Sequence, residues 1–260
     1  MNIRIFQIDA FSDKLFHGNP AAVCPLTEWL PDDLMQQIAM ENNLAETAFF
    51  VKGHDRFHIR WFTPAVEVDL CGHATLAAAF VIFHFEHYPN TVVPFDSRSG
   101  LLTVTKHGDR LTLNFPADKP EKVPAPEELV FGIGLPPVEC YRGKSDYMLV
   151  YGTPEEIENI SPDMERIANA PARGIIVTAP GREVDFVSRF FAPQSGVPED
   201  PVTGSAHTTL APYWAARLGK NELTAMQLSK RRGWLSCRLA NDRVEISGNA
   251  RAYLTGQINI

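Results

Sequence analysis

The sequence predicts an α+β fold made of two pseudo-symmetric halves, each mostly strand wrapped about one buried helix. Three observations predict it. The run RWFTPAVEVDLCGHATLAAAF, from Arg60 to Phe80, returns as RFFAPQSGVPEDPVTGSAHTTLAPYW, from Arg189 to Trp214. Phe62 to Phe191 is 129 positions and Gly72 to Gly204 is 132, so the second copy carries three extra loop residues. A duplication of half-chain period with two copies is too short for a solenoid and points to two similar half-domains. The helix predicted to follow Gly72 is apolar on nearly every side, from Ala74 through Leu76 and Val81 to Phe83, and a helix of that kind is buried all round. The remaining segments read mainly as strands, without the steady strand–helix alternation of a parallel α/β sheet.

Element by element, MNIRIFQIDAF alternates apolar and polar residues and predicts a first strand over 3–9. Gly18-Asn19-Pro20 is turn chemistry ahead of a short strand over 21–24. Pro31 at the first helical position, with Asp32 and Asp33 in the first turn, opens a helix that Leu34, Met35, Ile38 and Ala39 continue to about Asn42. Strands follow over 47–51 and 57–62, then the Gly72 helix, then strands over 91–95, 101–106 and 110–115, the last two joined at His107-Gly108-Asp109. The Pro-rich stretch from Pro116 to Pro137 predicts an irregular connection and sets domains of 1–116 and 117–260. In the second half, strands are expected over 147–151, 174–178 and 184–191, with helical signals over 154–159 and 162–169. A second central helix is expected from Gly204, kinked at Pro212, which has no N–H to donate. Strands over 223–228, 234–239, 243–247 and 252–254 close the chain, the last expected to cross back to the first.

Composition excludes several function classes. A net charge of −7 and the shortness of Lys230-Arg231-Arg232 do not suit a nucleic-acid partner. A strand from the first residues leaves no room for a signal peptide, and the apolar stretch over 74–85 is too short for a bilayer, so the cytoplasm is the expected compartment. Cys24, Cys71, Cys140 and Cys237 lack ligand spacing and are expected as free thiols. No metal site and no cofactor are predicted; neither a GxxxxGK nor a GxGxxG segment follows any strand.

The chemistry is expected at the two Gly-led helix starts, Gly72-His73-Ala74-Thr75 and Gly204-Ser205-Ala206-His207. Each offers backbone N–H groups and partial positive charge to an anion, and duplication would bring both to one cleft. Glu46, between a helix and an apolar strand, is the candidate general acid/base. His73 and Asp200 are the other titratable candidates; duplication would place Asp200 across from His73, as a pair that favours imidazolium and fixes a substrate or relays a proton. Cys71 is read as a packing residue, since its counterpart Thr203 cannot serve as a second thiol.

Together FHGNPAAV, NNLAETAFF, WFTPAVEVDLCGHATLA, GIIVTAP and the run FFAP through EDPVTGSAH resemble the PhzF-like family, over essentially the whole chain. The resemblance implies a diaminopimelate epimerase-like fold, with a β-barrel-like sheet around a central helix in each half. It implies a cofactor-independent isomerase moving a proton on a small, cyclic or unsaturated carboxylic acid. Glu46 would shuttle the proton, assisted by His73, Asp200 and Ser205, and Asn19, Gly72, Ala74, Thr75, Gly204 and Ala206 would line the substrate. A homodimer is implied too. Ala45 stands where the family often has serine. The rival readings are an epimerase or racemase using the same cleft, and a binding protein without turnover.

Overall fold

The alternating N-terminus forms strand β1 (Asn2–Ala10), and β2 (Asn19–Leu26) returns antiparallel to it with Ala10 opposite Asn19. Gly18 makes that return possible. Its φ is +69°, and a Cβ there would sit 2.1 Å from the Ala10 carbonyl oxygen. In this computed structural model, which describes residues 1–260, the chain forms two units, Met1–Asn114 with Ser247–Ile260, and Phe115–Ile246.

The first unit continues through α1 (Asp32–Asn42), β3 (Glu46–Lys52), β4 (Phe57–Phe62), β5 (Glu67–Val68), α2 (Gly72–His84), β6 (Val92–Ser97), β7 (Gly100–His107) and β8 (Arg110–Pro116). Pro31 is the N-cap of α1, one position earlier than the sequence predicts. Along β1–β2–β3–β4–β6–β7 the pairings run antiparallel, parallel, antiparallel, parallel, antiparallel. The central helix α2 is buried at eleven of its thirteen positions and packs on β1, β2, β3 and β7. Its Ala77, Ala78 and Ala79 are fully buried, and side chains this small let the surrounding strands come close to the helix axis.

The second unit contains β9 (Glu121–Lys122), α3 (Glu127–Ile133), β10 (Glu139–Arg142), β11 (Asp146–Val150), α4 (Pro154–Asn159), α5 (Met164–Ala168), β12 (Gly174–Pro180), β13 (Phe186–Phe191), α6 (His207–Leu218), β14 (Glu222–Gln227), β15 (Gly233–Ala240) and β16 (Arg243–Gly248). Along β10–β11–β12–β13–β14–β15 the pairings are again antiparallel, parallel, antiparallel, parallel, antiparallel. The duplication read in the sequence is therefore a duplication of topology. The last strand, β17 (Ala250–Asn259), belongs to the first unit and pairs with the whole of β1.

One duplicated device is invisible in the motifs. On β4, Arg60 Nε and Nη2 donate to the two carboxylate oxygens of Glu67 at 2.7 and 2.8 Å. On β13, Arg189 does the same to Glu199 at 2.7 and 3.1 Å. Each guanidinium also lies over an aromatic ring two residues along its strand, Phe62 at 5.2 Å and Phe191 at 4.9 Å. The two arginines are 129 apart and the two glutamates 132, so the three extra residues fall between Phe191 and Glu199.

Three expectations change. The Pro-rich connection is ordered, holding β9, α3 and β10; Pro126 caps α3, so the prolines start elements instead of breaking them. The second central helix begins at His207, because Gly204, Ser205 and Ala206 form turns in which His207, Thr208 and Thr209 N–H groups bond three residues back. Pro212 lies inside α6, and the Thr208 carbonyl that it cannot reach is taken by Asp118 N–H at 3.0 Å.

Gly174 begins β12 because nothing larger fits: a Cβ there would lie 2.2 Å from Cζ of buried Phe190. Gly174→Ala should lower stability by about 1–3 kcal/mol, as overpacking does. Urea unfolding measures it, and an unchanged midpoint would show that the ring yields freely.

Candidate active site

In the first unit, three elements start at one place. Asn19 opens β2, Glu46 opens β3, and His73 is the second residue of α2, whose N-cap is Cys71. His73 Nε2 lies 3.2 Å from Glu46 Oε2, with side chains 4% and 16% exposed. The other ring nitrogen, Nδ1, is 3.1 Å from Asn19 Nδ2 and 3.5 Å from Cys71 Sγ. An amide N–H can only donate, so with Asn19 oriented this way Nδ1 accepts and Nε2 carries the proton toward Glu46. The Nε2···Oε2 approach is close yet not aligned as a hydrogen bond. Catalytic contacts without substrate are often of this kind. Burial lowers the His73 pKa to about 3, so the ring is neutral at neutral pH and its contact with Glu46 is no ion pair.

The start of α2 adds donors. Thr75 N–H makes the first i→i−4 bond, to Cys71 O at 3.2 Å, and Thr75 Oγ1 donates to the same carbonyl. The N–H groups of Gly72, His73 and Ala74 come before that bond and have no carbonyl within the helix to reach.

In the second unit, the equivalent positions are Gly204, Ser205 and Ala206. Although α6 starts later than expected, the same three N–H groups precede its first intrahelical bonds. Ser205 Oγ accepts from Arg173 Nη1 at 2.9 Å, which leaves the hydroxyl hydrogen to donate elsewhere. Arg173 is fixed in turn by Asp146, whose side chain is 3% exposed, through Nε at 3.0 Å and Nη2 at 2.5 Å.

Asp200 is held by a buried amide. Gln227, fully buried at the end of β14, donates Nε2–H to Asp200 O at 2.6 Å and accepts Thr203 N–H on Oε1 at 2.8 Å. Thr203 Oγ1 donates to Asp200 Oδ2 at 2.6 Å. The amide thus fixes the turn that presents the carboxylate. Gln227→Leu strands a buried N–H and a buried carbonyl, each costing about 1–3 kcal/mol. Urea unfolding should register the loss; wild-type stability would show that water replaces the amide.

His207 occupies the position of Thr75, 132 residues on, and its Nδ1 lies 2.8 Å from Thr203 O as Thr75 Oγ1 lies against Cys71 O. Burial lowers its pKa to about 4. Unfolded imidazoles titrate near 6.5, whereas folded His73 and His207 stay neutral down to about pH 3 and 4. Below pH 6.5 the unfolded chain therefore binds more protons, and stability falls as pH drops from 6.5 toward 4. Each ring should remove about 2 kcal/mol by pH 5. Urea midpoints between pH 7.5 and 5 check this, and the slope should shrink in His207→Gln.

The structure brings Asn19, Glu46, Gly72, His73, Ala74 and Thr75 together in the first unit, and Asp200, Gly204, Ser205 and Ala206 in the second. Sequence reasoning passed over Arg173, Asp146 and Gln227, set Cys71 aside as packing, and expected an imidazolium at His73, where burial keeps the ring neutral. Arg173 had a signal. It precedes Gly174 as Ala45 precedes Glu46, since Asp146–Gly174 and Ala21–Glu46 are corresponding pairs in the two parallel ladders. Gln227 had none; it is one more polar residue in a strand.

The profile of the phenazine biosynthesis-like protein family, PhzC-PhzF, matches residues 8–256. The chain belongs to this family. An uncharacterized isomerase of Pseudomonas aeruginosa is 50% identical over 260 residues, covering 100% of both chains. A PhzF-family phenazine biosynthesis protein of Enterococcus faecalis has a crystal structure that superposes with a TM-score of 0.97 at 44% identity, again over 100% of both. A hydroxyproline epimerase from Agrobacterium vitis, at 10% identity and TM-score 0.66, covering 99% of this chain and 92% of its own, shares the fold. The α+β epimerase-like fold and the isomerase class expected from the PhzF-like motifs both stand. No helix is long and apolar enough to cross a membrane.

Proposed function

We propose that this PhzC-PhzF family member shifts a proton on a small carboxylic acid carrying a carbonyl or a double bond near the labile carbon, using its own side chains without a cofactor. Glu46 removes the proton and returns it at a second carbon within its reach. The observation that carries this reading is Glu46 Oε2 standing 3.2 Å from the buried, neutral His73 at the N-terminus of α2. A neutral ring sets no imidazolium against the carboxylate, and its Nε2–H is placed to donate once the substrate aligns it.

Ser205, with its hydroxyl hydrogen directed away from Arg173, and the N–H groups of Gly204 and Ala206 hold the substrate's carboxylate. Asp200 positions its polar substituents. Thr203 counts against a two-thiol epimerase. It stands where the second cysteine would be, and its hydroxyl is engaged by Asp200.

A metabolite extract incubated separately with the wild type and with Glu46→Gln, then read by mass spectrometry, tests the reading. A small acid consumed by the wild type but only retained by the variant is expected. Equal consumption by both removes Glu46 from the reaction, and retention by both without turnover returns the protein to a binding role.

A further inference from the structure

We infer that Glu46, Cys71 and His73 form a binding site for a thiophilic divalent cation of the zinc type, and that the ion acts there as an inhibitor. Binding stands on geometry alone; inhibition rests on the proposed role of Glu46. One donor atom from each of the three residues can be chosen so that all lie within 4.8 Å of one another. A tetrahedral ion at about 2.0–2.3 Å from its donors keeps them roughly 3.3–3.7 Å apart. Nε2 stands 3.2 Å from Glu46 Oε2 and the other ring nitrogen, Nδ1, 3.5 Å from Cys71 Sγ; with one donor of each residue within 4.8 Å of the others, side-chain shifts of about 1 Å close the set.

The chemistry of the donors fits. His73 Nε2 is buried and engaged by no aligned hydrogen bond. Ligation through Nε2 places the proton on Nδ1, where the Asn19 amide, turned to present its oxygen, accepts it and fixes the ring as outer partners of ligating imidazoles do. Cys71 is the N-cap of α2, two residues before His73, so its sulfur and the imidazole start from the same turn. A thiolate, a carboxylate and a neutral imidazole bring the charge of a divalent ion to zero, which a buried site requires. The three remaining cysteines have no such company. Burial raises Cys24 and Cys237 to about 12 and Cys140 to about 11. The bound ion consumes the lone pairs of Glu46 and excludes the proton it would carry. Binding releases the Cys71 thiol proton to solvent and chelation of the ion lets the thiol take it back, so no covalent change is involved.

Cobalt(II) titration of the reduced full-length protein tests the site without any substrate. One equivalent should bring up a near-ultraviolet thiolate-to-cobalt band with visible bands of a four-coordinate ion, and zinc should displace it. The band should vanish in Cys71→Ser and persist in Cys140→Ser. Glu46→Gln should weaken the affinity by more than the roughly 10–100-fold that an outer-shell partner is worth. Circular dichroism confirms that each variant is folded. As a second measurement on the wild type, zinc should slow iodoacetamide labelling of Cys71, read by peptide mass spectrometry. A band that survives in Cys71→Ser, or no saturable one-to-one uptake with no protection of Cys71, overturns the site. Uptake without inhibition of turnover would leave the site intact and contradict the role given to Glu46.

Discussion

Glu46→Gln should lower kcat by about 10²–10⁴, the usual contribution of a positioned general acid/base. KM should change little. The amide keeps the shape of the carboxylate beside His73, so substrate is held as before while the proton has no carrier. A loss of binding interactions alone would raise KM and leave kcat, so the split between the two constants identifies what the residue does. Glu46 opens β3 opposite Ala21 and is mostly covered by its own unit, so a fall in kcat without a fall in stability is the expected pattern. A variant retaining more than a tenth of wild-type kcat would mean that another group carries the proton.

Arg189→Met should be the most destabilising single change, at about 3–5 kcal/mol, the cost of stranding one member of a buried ion pair. The side chain is 11% exposed and that of Glu199 21%. Besides the two bonds to Glu199, Nη1 donates to Ile157 O at 3.0 Å and Ile160 O at 2.7 Å, tying β13 to the end of α4. Loss of the guanidinium leaves a carboxylate and two carbonyls short of donors. Against a total stability of about 5–15 kcal/mol this is a large fraction. Glu199→Met combined with Arg189→Met should recover part of it, because removing both charges costs less than stranding one. Urea unfolding of the two single variants and the double variant measures the cycle. Strictly additive losses would show that the pair contributes no coupling.

The fold was legible where residues repeat. The apolar Ala74–Phe83 face and the doubled WFTP and FFAP strands announce two similar halves, and matching ladders bear this out. It was less legible where proline was read as interruption. Pro126 starts a helix, at a position where a missing N–H costs nothing. The start of α6 was misplaced because Gly204, Ser205 and Ala206 satisfy the following N–H groups by tighter turns, which leave no mark on helical periodicity.

At the site, sequence chemistry named Glu46, His73, Asp200 and Ser205, since each sits in or beside a motif. The residues that hold them in place were not legible. Gln227 and Asp146 act through folding, which brings a strand end to a turn, and a chain pattern carries no trace of that meeting. Cys71 was set aside because its duplicate is Thr203, yet its neighbour within the same unit, His73, decides its surroundings.

The most direct measurement of the central claim is to run the turnover of the acid captured by Glu46→Gln in deuterated water with wild-type enzyme and locate the moved hydrogen by NMR. Proton transfer by Glu46 between two carbons predicts a product with its double bond or carbonyl relocated, and deuterium, where it enters, only at the newly protonated carbon. An unchanged skeleton inverted at one α-carbon, with deuterium there, would contradict it and make the protein an epimerase.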